Sequence, residues 1–300
     1  TPSPFMVSFS QLPSYDSSPS CRNPFFEYNE NKLMYITGDC ALKLNLFSEA
    51  TEIFRKLNDV NMFKKTLPHP ECQYLPDKKY SQAYQDVFVE KLYDNKKNGT
   101  FLEIGANHYK NNNNTYLLEK EYNWSGISIE IDDNYEHDFK THRKSNFICS
   151  DATQIDYKEL LSNMPKTIDY LQLDCDPPNI TFDILLKIPF DEYKFGVITY
   201  EHDYYADMKQ IYRDMSRSFL KSKGYVLIVE NITPDIGEQY PFEDWWIHPE
   251  CFEYYHLFKY QNDSKPLFAY RYIQYLTKMK KELAIQQKYH IIDDNILTHD

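Results

Sequence analysis

Short apolar runs, rich in β-branched residues, recur between residues 100 and 230 and alternate with stretches of helical spacing. The runs at 100–104, 126–130, 146–149, 168–173, 195–200 and 225–229 predict strands. Between and around them, residues 80–93, 116–122 and 205–221 predict helices, the last ending at Gly224. Alternating strands and helices specify an α/β fold with a mostly parallel sheet covered on both faces. Upstream, Ala41, Leu42, Leu44, Phe47, Ala50, Ile53 and Phe54 recur at spacings of three and four. They predict the first helix of a hairpin that caps the main domain. Residues 1–24 carry Ser and Pro with few aliphatics and read as a loosely held arm. Downstream, Phe268, Tyr272, Ile273 and Leu276 predict a C-terminal helix packed on the core or on a partner chain. The expected division is an N-terminal arm and hairpin (1–77), the α/β domain (78–258) and a helical extension (259–300).

The candidate chemistry gathers around the first strand. Gly105 stands where the chain must bend sharply and let a ligand approach the backbone. The second strand then ends in Glu130. A strand, a glycine turn, a helix and a strand ending in an acid form the nucleotide half of a Rossmann-like fold, with the second acid on ribose hydroxyls. There is no G-x-G-x-x-G, and Glu103 beside the turn opposes a phosphate. S-adenosylmethionine, with its sulfonium and ammonium, suits this charge better than NAD.

Further acids follow strands. Glu103, Glu130, Asp174, Glu201 and Glu230 all fall at or near predicted carboxyl ends, where parallel sheets bind ligands. Asp151 follows the third strand, either to take an adenine amine or to cap a helix. Ser81, Gln82, Gln85 and Asp86 either face the mouth of the glycine turn or cap the helix they precede. Trp245, Trp246 and His248 are expected in a loop after the sixth strand, as a stacking surface for a sugar or as buried anchors.

Composition narrows the partners. With 42% hydrophobic residues the chain can bury a full core, and its net charge of −12 opposes nonspecific binding to nucleic acid or anionic membrane. Six scattered cysteines without a C-x-x-C pair suggest neither a zinc knuckle nor a disulfide framework. No apolar run approaches membrane-spanning length. A soluble cytoplasmic protein is expected. The first residue is Thr1, so the chain is expected to belong to a longer polypeptide; a homo-oligomer is the other partner expectation.

Several spaced motifs carry a family resemblance. Tyr80-Ser81-Gln82, Gln85-Asp86, the run from Gly99 to Asn107, Asn114-Thr115, Leu118-Glu119 and Trp124-Ser125-Gly126 through Glu130 are similar to FkbM-type S-adenosylmethionine-dependent methyltransferases. The likeness covers about residues 78–258. It implies a class I methyltransferase with a mostly parallel seven-stranded sheet, acting on a small-molecule or glycan hydroxyl. It also implies that Glu103, Gly105 and Asn107 hold the methionine part, Glu130 the ribose and Asp151 the adenine, with Gln85, Ala106, Thr115, Ala152 and Asp174 in the same pocket. The second half departs: where the family shows Asp-x-Glu-Gly, this chain has Asp174-Cys175-Asp176-Pro177.

Methyl transfer to a hydroxyl requires alignment and removal of a proton. Two routes are open. His202, with an ordinary pKa of about 6.5, suits a general base. Alternatively Asp174, Glu201 and His202 converge on Mg²⁺ or Mn²⁺, which lowers the hydroxyl pKa. The competing class is a binding module that keeps the pocket without catalysis, docking through the N-terminal hairpin.

Overall fold

The structure is a computed structural model that describes residues 79–205, 211–233, 240–261 and 265–297. The arm and helical hairpin expected before residue 78 lie outside the described residues, as do residues 206–210 of the expected helix 205–221.

The longest apolar runs make the central strands. β1 (Thr100–Ile104), β4 (Thr167–Leu173) and β5 (Lys194–Glu201) are buried along nearly their whole length, as strands covered on both faces must be. β2 (Ser125–Glu130) and β3 (Asn146–Cys149) extend the sheet on one side. β6 (Val226–Thr233), β7 (Glu243–Ile247) and β8 (Leu267–Phe268) extend it on the other. The order is β3-β2-β1-β4-β5-β7-β6-β8. Strands β1 to β5 pair in parallel, and β7 is inserted antiparallel between β5 and β6. This is a Rossmann-like α/β arrangement, a mostly parallel sheet with helices on both faces.

Three expectations are corrected. The seven strands expected become eight among the described residues, because β8 adds a two-residue parallel pairing to the end of β6. The sixth strand does not stop before Glu230 but runs through Asn231 to Thr233. Register shifts on either side of Val229 and an ion pair from Arg217 to Glu230 (3.1 Å) accommodate these polar residues inside a strand. Residues 243–247, expected as a loop, form β7 with all five side chains buried.

The helices show why local polar residues matter. Asp86 gathers the amides of Tyr80 (2.7 Å) and Ser81 (3.3 Å) and the Ser81 hydroxyl (2.5 Å). This folds 80–84 into a loop, so α1 (Gln85–Leu92) starts only after Tyr84, at φ 63°. α2 (Tyr116–Tyr122) ends at Asn123 in the left-handed region, φ 56°. α3 (Glu136–His142) and α4 (Tyr157–Leu160) are short, and Asp156 caps α4 through the amides of Lys158 and Glu159. Pro178 opens α5 (Pro178–Lys187), where its missing N–H costs nothing. α6 (Ile211–Ser222), α7 (Tyr255–Phe258) and α8 (Ala269–Leu297) follow. Among the described residues no helix is long and apolar enough to cross a membrane.

Two apolar cores lie on the two faces of the sheet. One packs α1, α2 and the start of α8, the other α4, α5 and the end of α6. Trp245 and Trp246 alternate between them, each fully buried. At the centre of the first, Phe88 stacks on Trp245 (4.5 Å) and the Tyr272 ring meets both edge-on (5.7 and 5.5 Å). Of the residues expected to form a C-terminal helix, Tyr272, Ile273 and Leu276 lie in α8 and in this core, while Phe268 packs in the same core from β8.

Tyr272→Ala leaves a cavity under two aromatic rings and is expected to cost about 3–5 kcal/mol, the usual loss for a buried ring, read from the urea midpoint at unchanged slope. A chain cut after Phe258 would expose Phe88 and Trp245 and is expected to lose cooperative unfolding. Wild-type stability in either variant would show that α8 does not support the sheet.

Candidate functional site

The sheet order reverses between β1 and β4, and the crevice at such a switch point is where open α/β sheets bind ligands. A cavity of about 300 Å³ lies there. Gly105 turns out of β1 at φ +80°, and a Cβ on it would sit 1.6 Å from the carbonyl oxygen of Asp174. The amides of Gly105 and Ala106 both donate to the carbonyl of Ile129 (3.0 Å each), and the Asp174 amide donates to that of Ile104 (3.0 Å). The ends of β1, β2 and β4 are thus stitched together beneath the cavity.

Glu130 ends β2 as expected. Its carboxylate accepts from the amides of Asn107 (2.7 Å), Ile131 (2.8 Å) and Asp132 (3.0 Å), which fixes its position at the wall. Asp151 lines the same cavity and also caps the turn after β3, accepting from the amide and hydroxyl of Thr153 (2.8 and 2.7 Å). Gly105, Asn107, Ala152 and Asp174 line it too, joined by Cys175 and Asp176, which the sequence reading passed over. Four carboxylates therefore face this space (Glu130, Asp151, Asp174 and Asp176), and among the described residues no Lys, Arg or His stands in its walls.

Other expected residues stand behind the cavity rather than on it. Glu103 lies within β1 and is buried, accepting from the hydroxyls of Thr115 (2.9 Å) and Ser128 (2.8 Å). Burial pushes its carboxyl up, and the nearby Arg143 charge pulls it back. Arg143 holds this layer. It donates to Glu119 (3.0 Å), the Tyr109 carbonyl (3.0 Å), Asn113 (3.0 Å) and Thr115 (2.8 Å). Nothing near Arg143 in the sequence signals this role, since its partners lie at least 24 residues away. Ala106 is buried, with its carbonyl accepting from Asn113 (3.0 Å). Gln85 is buried beneath β7, where its side chain meets Glu243.

The expected trio of Asp174, Glu201 and His202 does not converge. Asp174 and Glu201 share a hydrogen bond, and Asp203 joins them through Glu201 and Asp176. His202 is fully buried on the opposite face, with Nε2 3.5 Å from Asp244 and Nδ1 accepting from the Tyr204 amide (3.2 Å). The cause is strand parity: successive side chains leave a strand on alternate faces. Burial keeps His202 below its ordinary pKa. Asp244 is held well below the carboxylate range against the cost of burial, by His202 and by Arg217, which donates to both its oxygens (2.6 and 2.8 Å). The trio is therefore no ligand set. Among the described residues no three His, Cys, Asp or Glu side chains are arranged to hold a metal ion.

Burial raises Asp174, Glu201 and Asp203, and the charges acting on Glu201 and Asp203 are chiefly those of neighbouring carboxylates. Two carboxyls in contact cannot both ionise cheaply, so Asp174 and Glu201 hold a proton between them near neutrality.

No family model and no curated protein matches the chain. Among solved structures it is similar to an rRNA methylase from Streptococcus thermophilus, at 11% identity over 58% of this chain and 99% of that one, with a TM-score of 0.38. It is also similar to an S-adenosylmethionine-dependent methyltransferase from Archaeoglobus fulgidus (16%, 54% and 92%, TM-score 0.34). A third is precorrin-6y C5,15-methyltransferase from Geobacter metallireducens (14%, 58% and 93%, TM-score 0.37). These likenesses are too distant to assign an activity.

Glu243 is fully buried and accepts from the Trp245 indole (2.6 Å), and burial raises its carboxyl to about 8. The folded chain holds this proton more tightly than the unfolded one. Its contribution is therefore complete below the ordinary carboxylate range and lost as pH rises toward 8. Wild-type stability is expected to fall across that window, and Glu243→Gln to flatten the fall by about 1–3 kcal/mol. Urea titrations from pH 5 to pH 9 check this; parallel curves for the two proteins would refute it.

Proposed function

We propose that the protein is an S-adenosylmethionine-dependent methyltransferase that acts on a hydroxyl, of the kind a sugar presents. The observation that carries the reading is the cavity wall: four carboxylates and no Lys, Arg or His among the described residues that line it, at the strand ends where a Rossmann-like sheet takes a nucleoside. A dinucleotide or nucleoside triphosphate would bring phosphates against these acids. Like charges about 4 Å apart cost about 4 kcal/mol near a protein surface. A sulfonium and an ammonium meet the opposite field.

Glu130 would accept from a ribose hydroxyl, since an ionised carboxylate has about four acceptor positions and backbone amides take three. Gly105 permits close approach at the turn, and Asp151, on the cavity wall after β3, is the acid we assign to the adenine amine. When bound, S-adenosylmethionine supplies a methyl group on a positively charged sulfur. Asp174 is the carboxylate placed to take the acceptor's proton, because it both lines the cavity and pairs with Glu201. Protonated Glu201 donates to Asp174, and the proton leaving the acceptor is then shared by the pair. A hydroxyl acceptor needs such a base, which favours O-methyl transfer. His202, on the far face, takes no part, and no metal step is invoked.

Calorimetry on the full chain tests the cofactor. S-adenosylhomocysteine is expected to bind and NAD not to bind. Glu130→Ala is expected to weaken S-adenosylhomocysteine by about 1–3 kcal/mol, the scale of lost charge-assisted hydrogen bonds. With a panel of glycosides, Asp174→Asn is expected to lower methyl release by about 10²–10⁴. Full affinity in folded Glu130→Ala removes that residue from the site, and full turnover in Asp174→Asn removes the base.

A further inference from the structure

One peptide group links the candidate site to a buried cation. The carbonyl of Ala106 accepts from the side-chain amide of Asn113 (3.0 Å), and the N–H of Asn107, in the same peptide plane, donates to the Glu130 carboxylate (2.7 Å). In a trans peptide these two groups point in opposite directions. The pose of this one unit therefore decides whether Glu130 receives an amide or faces a carbonyl oxygen. Asn107 lies at φ 52°, in the left-handed region that a residue other than glycine enters at a cost. Turning the peptide over carries this φ into the negative range. Local backbone preference thus favours the opposite pose, and the bonds to Asn113 and Glu130 oppose it.

Asn113 is itself held from behind. Its side chain is buried, and its Oδ1 accepts from the amides of Thr115 (3.1 Å) and Tyr116 (2.8 Å) and from the Arg143 guanidinium (3.0 Å). The same guanidinium, closed off from solvent, donates to the Tyr109 carbonyl (3.0 Å) and the Thr115 hydroxyl (2.8 Å). All three acceptors belong to the segment 109–115 that leads from the turn to α2, so one planar fork fixes the whole segment. Glu119 pairs with the fork (3.0 Å) and accepts from the amides of Lys144 (2.8 Å) and Ser145 (3.0 Å), which secures the arginine's own backbone. A buried ion pair adds little net stability over apolar residues of similar size. Stability alone therefore does not account for a cation here, whereas the need for several donors in fixed directions does.

We propose that Arg143 is a positioning residue for the cavity: through Asn113 it holds the Ala106–Asn107 peptide in the pose that presents an amide to Glu130. Without the fork Asn113 is released, the peptide turns over, and a carbonyl oxygen faces the carboxylate that takes the ligand's ribose. The inference rests on the methyltransferase reading only for naming that ligand, because the pose of the peptide is a property of the free protein.

Arg143→Lys keeps the charge beside Glu103 and removes the fork; Asn113→Ala removes the link to Ala106. Arg143→Met combined with Glu119→Gln takes the place of the lysine variant if that one does not fold, since it leaves no unpaired charge and keeps an acceptor for the amides of Lys144 and Ser145. Hydrogen exchange on the ligand-free full chain and calorimetry with S-adenosylhomocysteine are measured where urea curves show each variant folded. Each variant is expected to exchange the amides of residues 105–107 about tenfold faster, with β4 and β5 unchanged, and to bind S-adenosylhomocysteine about tenfold more weakly, the scale of one charge-assisted hydrogen bond. The variant carrying both Arg143→Lys and Asn113→Ala is expected to match the weaker of the two, because both act through one peptide. Unchanged exchange at 105–107 overturns the proposal, as do unchanged affinity in folded variants of a protein that binds and losses that multiply when the two are combined. Faster exchange in variants of a protein that binds no S-adenosylhomocysteine keeps the positioning role and overturns the cofactor reading instead.

Discussion

The close passage of Gly105 over the end of β4 is the constraint on which the site depends. A side chain there would occupy the space of the Asp174 carbonyl, so only glycine lets β1 turn while β4 continues beside it. The turn then delivers two amides to Ile129 and one to Glu130, from the three residues 105–107. One missing Cβ therefore sets the spacing of three strand ends, the pose of the Glu130 carboxylate and the floor of the cavity. The Arg143 layer supports the turn from behind by fixing Asn113 and Thr115, and Asn113 in turn binds the Ala106 carbonyl.

Much of the sheet was legible because its central strands are covered on both faces. Such strands read as unbroken apolar runs, and β1, β3 and α2 fall on the residues expected, with β4 and β5 within one residue at either end. The β7 strand was not legible. Its first two residues are acids, which in local sequence announce a loop. In the fold Asp244 is paired with Arg217 from α6 and accepts from the Asn231 amide of β6, while Glu243, kept protonated by burial, accepts from the Trp245 indole. Those partners are distant in sequence or depend on a strand already being present. The extension of β6 through Glu230 has the same origin, since Arg217 is what makes that acid tolerable inside a strand.

The site was legible as a set of acids, not as a geometry. Glu130 and Asp174 could be placed at strand ends from the apolar runs alone, because the end of a run marks the end of a strand. Which face a residue takes just beyond a strand is a different matter. Glu201 and His202 are neighbours in sequence, yet one joins Asp174 and the other joins Asp244. Glu103 illustrates the converse error. It was read as bordering the turn, but it sits inside β1, where its face of the sheet is closed by Thr115 and Ser128.

His202 divides two acidic groups that the fold treats differently. On its own side, Asp244 receives a guanidinium on both oxygens and a backbone amide, and its charge is fully compensated. On the other side, Asp174, Glu201 and Asp203 have chiefly one another and burial to contend with. A stable core needs only the first arrangement, because uncompensated buried carboxyls weaken the folded state as pH rises. The second group opens through Asp174 and Asp176 to the cavity and through Tyr205 to solvent. Burial and the proton shared by Asp174 and Glu201 hold down the charge of this group, and what charge remains faces the cavity through Asp174 and Asp176, where the cationic ligand proposed above would meet it.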